Sequence, residues 1–229
     1  MWQGLFGKNF VRKRLLRTLA PGPMRDFLSE PFPTRGSGCS NTELVALDLE
    51  TTGLDAGTDQ ILSVGLVPVR NGSILLDRAW YRVIRIAREV PADTAIIHGI
   101  TDDASAQGAP LAEVLPEVLA RLSGKVLLAH HAAVELGFIH AACMHLYEVP
   151  FLIPVIDTQL MAKQLMQRRD IPYKARDLRL FNLRDRYNLP RYAAHHALSD
   201  ALATAELFLA MATENYQRKN CRLKEFCLR

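Results

Sequence analysis

Two carboxylates two residues apart, Asp48 and Glu50, stand at the end of an apolar run, Leu44-Val45-Ala46-Leu47. In a β-strand, residues i and i+2 point to the same face. Both acids therefore project from one side of a strand that otherwise belongs in a core. Two like charges held close repel, and burial adds to the cost. A divalent cation relieves both. Two further acids stand near the starts of helical segments. Glu135 lies in AHHAAVELGF and Asp200 in HHALSDA. Asp200 alone would suit the positive N-terminal end of a helix. Four acids at the ends of core elements describe a metal-binding cage better. His195, five residues before Asp200, suits a general base beside a metal-held water. His196 is its immediate neighbour, and either imidazole fits that role.

Elements that position these groups follow from apolar periodicity. Short strands are expected at 44–49, 60–69 and 73–84, with Asn71-Gly72 closing a hairpin between the last two. Residues 93–110 read as irregular. A helix is expected over 111–122, kinked or split by Pro116. A fourth strand follows at 126–129, then a helix over 131–147 with Leu136, Ile139 and Met144 on its buried side. A fifth strand covers 154–158, where Asp157 caps the next helix rather than holding a metal. A basic amphipathic helix over 176–187 and an Ala/Leu-rich helix over 196–216 complete the order. Hairpin-built strands followed by alternating strands and helices give an α/β fold with a mixed five-stranded sheet flanked by helices.

The chain has 229 residues, 49% hydrophobic and 23% charged, a balance that excludes a mainly disordered or collagen-like protein. Length bounds it to one large domain with tails. No apolar run approaches the roughly 18 residues of a spanning helix. Cys39, Cys143, Cys221 and Cys227 lack C-x-x-C spacing, which fits a reducing, cytoplasmic setting without a disulfide frame. The net charge of +4 is uneven. Residues 1–38 hold seven basic against two acidic groups, and residues 216–229 hold five against one. The expected organisation is a basic extension with a Pro/Gly-rich linker over 1–41, a catalytic domain over 42–215 and a basic tail over 216–229. Residues 163–191 carry nine basic against three acidic groups, with Tyr173 and Tyr187 interleaved. They read equally as a phosphate track with stacking groups or as a solvated basic face.

Four segments together resemble a known family. LVALDLETTGLD (44–55), HGIT (98–101), LLAHHAAVELGF (127–138) and HHALSDALATAELF (195–208) are similar, in order, to the motifs of DEDD-type 3′–5′ exonucleases of the ribonuclease H-like superfamily, close to polymerase III proofreading-subunit domains. The H-x-x-x-x-D spacing of His195 and Asp200 matches the histidine branch. The resemblance implies that Asp48, Glu50, Glu135 and Asp200 hold two Mg²⁺ or Mn²⁺ ions and that His195 accepts a proton from water. It also implies that Thr51, Thr52, Leu54 and His98 contact the terminal nucleotide. The implied substrates are single-stranded DNA or RNA 3′ ends, DNA favoured, and the implied products are nucleoside 5′-monophosphates. A polymerase-like protein is an implied partner. At position 135 the family usually has Asp. The extra methylene of Glu shifts the carboxylate by about 1.5 Å, which is compatible with a working ligand or with a weakened site that only binds nucleic acid. An oligoribonuclease-like enzyme acting on short RNA is the remaining alternative.

Overall fold

A computed structural model describes residues 7–86, 100, 102–215 and 222–226. In chain order the elements are α1 (Lys8–Leu16), α2 (Pro23–Ser29), β1 (Glu43–Thr51), β2 (Ile61–Arg70), β3 (Ser73–Ile74), β4 (Trp80–Arg85), α3 (Asp102–Ala106), β5 (Ala109–Pro110), α4 (Leu111–Leu122), β6 (Val126–Ala129), α5 (Ala133–Tyr147), β7 (Val155–Asp157), α6 (Thr158–Arg168), α7 (Leu180–Arg186) and α8 (Ala197–Asn215). The strands form one mixed sheet in the order β5-β4-β2-β1-β6-β7, with β3 paired to β2. β1 is antiparallel to β2 and parallel to β6, which in turn is parallel to β7. The central strands β1 and β2 are covered on both faces, which is why they read as nearly continuous apolar runs.

Alternation along β1 divides its side chains between two cores. Val45, Leu47 and Leu49 pack with α4 and α5 through Val118, Leu119, Phe138 and Ile139. Leu44 and Ala46 pack with α6 and α8 through Met161, Ala201, Ala205 and Phe208. Asp48 and Glu50 continue the Leu44–Ala46 row toward the end of the strand, on the α8 side.

The five expected strands appear as β1, β2, β4, β6 and β7, and two short ones bring the sheet to seven. β5 falls in the stretch expected to be irregular and adds to β4 in parallel; its Pro110, which has no N–H, sits at the sheet's outer edge. The strand expected over 73–84 is interrupted. Asn71 and Gly72 both have positive φ, as a tight hairpin requires, and Arg70 pairs with Ser73. Between the pairs Val69–Ile74 and Leu66–Trp80, β2 advances three residues and its partner six. The surplus is taken up by a 3₁₀ turn over Leu76–Arg78.

Three helix expectations change. Pro116 lies inside α4 without splitting it; Val114, Leu115, Val118, Leu119 and Leu122 are all buried along one side. Met144 is 41% exposed, because Cys143 occupies the buried position one turn beyond Ile139. The helix expected over 176–187 is a 3₁₀ turn, Ala175–Leu178, and then α7, separated by the extended backbone of Arg179.

The segment read as a linker before Thr42 is built into the fold. Met24, Phe27, Leu28 and Phe32 are buried in the α4–α5 core. The Phe27 ring lies 5.7 Å from Phe32 and 5.5 Å from Phe151. Arg12, counted among the basic arm, is buried and donates to the Leu28 and Ser29 carbonyls at the end of α2. The residues read as a C-terminal tail also dock. Leu223 and Phe226 are buried in the α8 core, and the Leu223 and Lys224 N–H groups donate to Ser37 and Arg35 carbonyls at 3.0 and 2.9 Å. Turn-rich composition marked the first segment as a linker and basic charge marked the second as a tail; their few large apolar residues tie them down. Among the described residues, no helix is long and apolar enough to cross a membrane.

Candidate active site

Asp48, Glu50 and Asp200 each offer a carboxylate oxygen, and these atoms lie within 4.8 Å of one another. β1 supplies the first two by its two-residue alternation. Asp200 comes from the first turn of α8, which the sheet admits at one place. A Cβ on Gly65 would collide with the Ala197 and Leu198 backbone. Gly65 pairs with Asp48 across β1–β2, so its missing side chain lets the start of α8 settle beside that acid. A lone glycine in an apolar strand marks a place where another backbone can approach closely, but does not say which element comes there.

Glu135 is buried in the first turn of α5 and stands outside the close trio, but its charge acts on Asp48. Burial raises the Asp48 pKa well above the ordinary value, and the charges of Glu135, Glu50 and Asp200 add to it. Burial, then Asp200, pushes Glu50 up to about 8. Glu135 also reaches about 8, chiefly by burial. Asp200 is raised by burial, against the lowering effects of the His195 N–H and the nearby His195, His196 and Arg184 charges. Such acids resist ionising together unless positive charge joins them. Glu135 Oε2 and Asp200 Oδ1 are buried and have no hydrogen-bond partner among the described residues. An all-oxygen donor set with acceptors left over fits hard divalent cations.

His195 is exposed and has φ +66°, a left-handed turn just before α8. Its N–H donates to Asp200 Oδ2 at 3.0 Å, which ties the histidine-bearing segment to the acid. The His196 ring is stacked on Tyr81. Upstream, buried Arg184 donates to the Ala203 and Pro190 carbonyls and to Glu206 Oε2, each at 2.7 Å. Tyr192 donates to the other Glu206 oxygen at 2.8 Å. Arg184 therefore clamps the segment before His195 onto α8 and is no part of a phosphate track. Arg169 pairs with Glu214 and Arg191 with Asp185, so the basic stretch is partly neutralised within the fold.

In the β1–β2 turn, the Thr51 hydroxyl donates to the Gly53 carbonyl at 2.6 Å. Thr52 donates to Asp59 Oδ1 at 3.1 Å and accepts from the Gln60 N–H. Asp59 also accepts from the Asp55 N–H, and a Cβ on Gly53 would strike it, so Asp59 is the post on which the turn is built. Composition alone did not single it out. The turn presents Leu54, an apolar side chain 84% exposed. His98 lies outside the described residues. Asp157 is a cap, as its place before α6 suggested: it accepts from the Gln159 and Leu160 N–H groups. It further accepts from the His131 and Ala132 N–H groups, which fixes the start of α5 and hence Glu135. His130 is held by Thr158 and the Leu178 carbonyl, and burial drives its pKa down to about 4.

Residues 45–208 match the exonuclease family model RNase_T, a span that takes in all four acids and His195. A DNA polymerase III PolC-type from Thermotoga petrophila is 32% identical over 173 residues, which are 76% of this chain but only 12% of the relative. The chain thus spans about an eighth of that protein. DNA polymerase III subunit epsilon from Treponema pallidum is 32% identical over 167 residues, covering 72% of this chain and 74% of the relative. Among solved structures, exonuclease X in complex with 5′-overhanging duplex DNA superposes with a TM-score of 0.61 at 20% identity, over 80% of this chain and 98% of that one. The nuclease domain of 3′hExo, a DEDDh family member bound to rAMP, gives 0.66 at 14% identity, over 81% and 99%. These likenesses establish the ribonuclease H-like fold, and the matches in sequence make this chain a member of the exonuclease family, related to the 3′–5′ exonuclease domains of DNA polymerase III epsilon and PolC.

Proposed function

We propose that the chain is a metal-dependent 3′–5′ exonuclease acting in the cytoplasm on single-stranded 3′ ends, with DNA favoured. The observation that carries this reading is the convergence of Asp48, Glu50 and Asp200 within 4.8 Å, with Glu135 beside them and His195 tied to Asp200. Asp48, Glu50, Glu135 and Asp200 hold two divalent ions, Mg²⁺ or Mn²⁺. Bound there, such ions would offset the charge of the phosphodiester and lower the pKa of a water so that it can give up a proton and attack phosphorus. The His195 imidazole accepts the water's proton. The new oxygen–phosphorus bond forms as the bond to the 3′-oxygen breaks. This releases a nucleoside 5′-monophosphate and leaves a strand one nucleotide shorter. Exposed Leu54 meets the terminal nucleotide, with the Thr51–Thr52 turn behind it and His98 contributing a further contact. Because the relatives are named as DNA polymerase III chains, a polymerase-like protein is the natural partner.

A 5′-labelled single strand incubated with Mg²⁺, Mn²⁺ or chelator tests the reading. A ladder shortening from the 3′ end, release of 5′-mononucleotides, and loss of both in folded Asp48→Ala and Asp200→Ala support it. Retained binding without metal-dependent shortening in the wild type replaces it with a nucleic-acid-binding subunit. Faster hydrolysis of short RNA than of DNA replaces the substrate.

A further inference from the structure

Two adjacent histidines precede α8, and successive side chains leave the backbone in different directions, so the two imidazoles are not equivalently presented to the carboxylates. The sheet beneath them carries the choice. Asp48 on β1 lies opposite Gly65 on β2, and Gly65 lies opposite Tyr81 on β4. These three residues form one row on the face that carries α8. The start of α8 rests on the gap left by Gly65. Asp48 therefore flanks the helix start on one side and Tyr81 on the other. The Tyr81 ring stacks on His196, with centroids 4.6 Å apart and planes 22° from parallel. His195, one residue earlier, turns through a positive φ and donates its N–H to Asp200.

We infer that Tyr81 is a positioning residue for hydrolysis: by holding His196 on its own side of the Gly65 gap, it leaves His195 as the imidazole that faces the acids. The inference rests on the reading of His195 as the general base. The segment is restrained at both ends. Tyr192, three residues before His195, is bound to Glu206, and the Arg184 guanidinium lies 4.8 Å from the Tyr192 ring centre. With the upstream end held through Tyr192, the Tyr81 stack adds a restraint at His196 itself. Stacking uses the face of the ring and not its hydroxyl, so Phe serves in place of Tyr81. Leu keeps bulk but has no such face.

The test is steady-state hydrolysis of a single-stranded DNA oligomer with Mn²⁺, beside NMR of the histidine ring signals as Mn²⁺ is added. Tyr81→Leu is expected to lower kcat about tenfold, with KM and Mn²⁺ affinity within about twofold, the pattern of a misplaced base. Tyr81→Phe stays within about twofold of wild type in kcat. In the double variant Tyr81→Leu with His196→Ala, most of the lost turnover returns, because no second imidazole competes. In the wild type, Mn²⁺ broadens the His195 ring signals more than those of His196, and in Tyr81→Leu that difference shrinks. Wild-type kcat in Tyr81→Leu, or a double variant no faster than Tyr81→Leu alone, overturns the inference when His195→Ala is inactive. Wild-type kcat in His195→Ala overturns the base assignment itself and is read separately.

Discussion

Glu135 is where the chain leaves the usual Asp of its family, and the structure places that longer acid in a buried position beside Asp48. Its Oε2 is buried with no hydrogen-bond partner among the described residues, which leaves an acceptor for a cation on the acid that acts on Asp48. Glu135→Asp is therefore expected to lower turnover by about tenfold, worth roughly 1.4 kcal/mol of barrier. The loss should be larger with Mg²⁺, which tolerates displaced ligands less well than Mn²⁺. A faster Glu135→Asp enzyme in steady-state assays would mark the site as decayed. The raised carboxylates also predict how the metal-free protein responds to pH. Glu50 and Glu135 titrate near 8 in the folded chain and near 4.5 when unfolded. Between those values the folded state binds more protons, so these groups make stability fall as pH rises through that window. Thermal melts in chelator should show Tm decreasing from pH 6 to pH 8. Added Mg²⁺ should raise Tm more at pH 8, where the acids are free to ionise. A Tm shift by Mg²⁺ that is the same at both values would contradict the cage.

Among the elements, the seat of α8 on β2 decides whether the site exists. Ala201 and Ala205 keep the helix close to the sheet, and Gly65 lets its first turn touch the strand backbone. Gly65→Ala places a methyl group against backbone that has no flexible end to move. Overpacking of this kind costs about 1–3 kcal/mol. The displaced helix start also carries Asp200 and His195 away from β1, and misplacement by about 1 Å is enough for a loss of some hundredfold. Circular dichroism melts and initial rates measured together should show a modest fall in Tm and a severe fall in activity. The opposite pattern would mean that α8 is seated by something other than this gap.

For the whole molecule, the described segments before β1 and after α8 are structural. A truncation before Thr42 removes Met24, Phe27, Leu28 and Phe32 from the α4–α5 core, and with them the strand-like contact of residues 35–38 with residues 222–224. Read from composition alone, removing the basic residues 1–38 would weaken binding to long single strands and flatten its salt dependence, with little effect on hydrolysis of a very short substrate. The structure predicts instead that it yields insoluble or unfolded protein. The finer test is Phe27→Ala, whose ring is 1% exposed between Phe32 and Phe151. It should lose about 3–5 kcal/mol in denaturant unfolding. A near-neutral value would return α2 to the status of a dispensable arm.

Much of the acid cluster's local setting was legible in the amino-acid order. Asp48 and Glu50 share a face because a strand alternates, and the buried runs on either side fix which residues are strand. Asp157 read as a cap from its place before α6, and Asn71-Gly72 read as a hairpin because that turn demands positive φ. These are local properties, carried by neighbours in the chain. What the sequence left undecided depends on contacts between residues far apart. Nothing near Gly65 says that α8 will land on it, and nothing near His196 says that Tyr81 will stack against it. The Pro/Gly-rich stretch before Thr42 looked like a linker because its turn residues dominate its composition, while the burial of Phe27 and Leu28 depends on where α4 and α5 lie. Arg184 looked like a surface cation for the same reason: its partners Glu206, Ala203 and Tyr192 are set around it only when α7 packs on α8. Residue types and spacing determined which chemistry was available; tertiary packing decided which of those groups meet, because burial and charge proximity are properties of the folded arrangement.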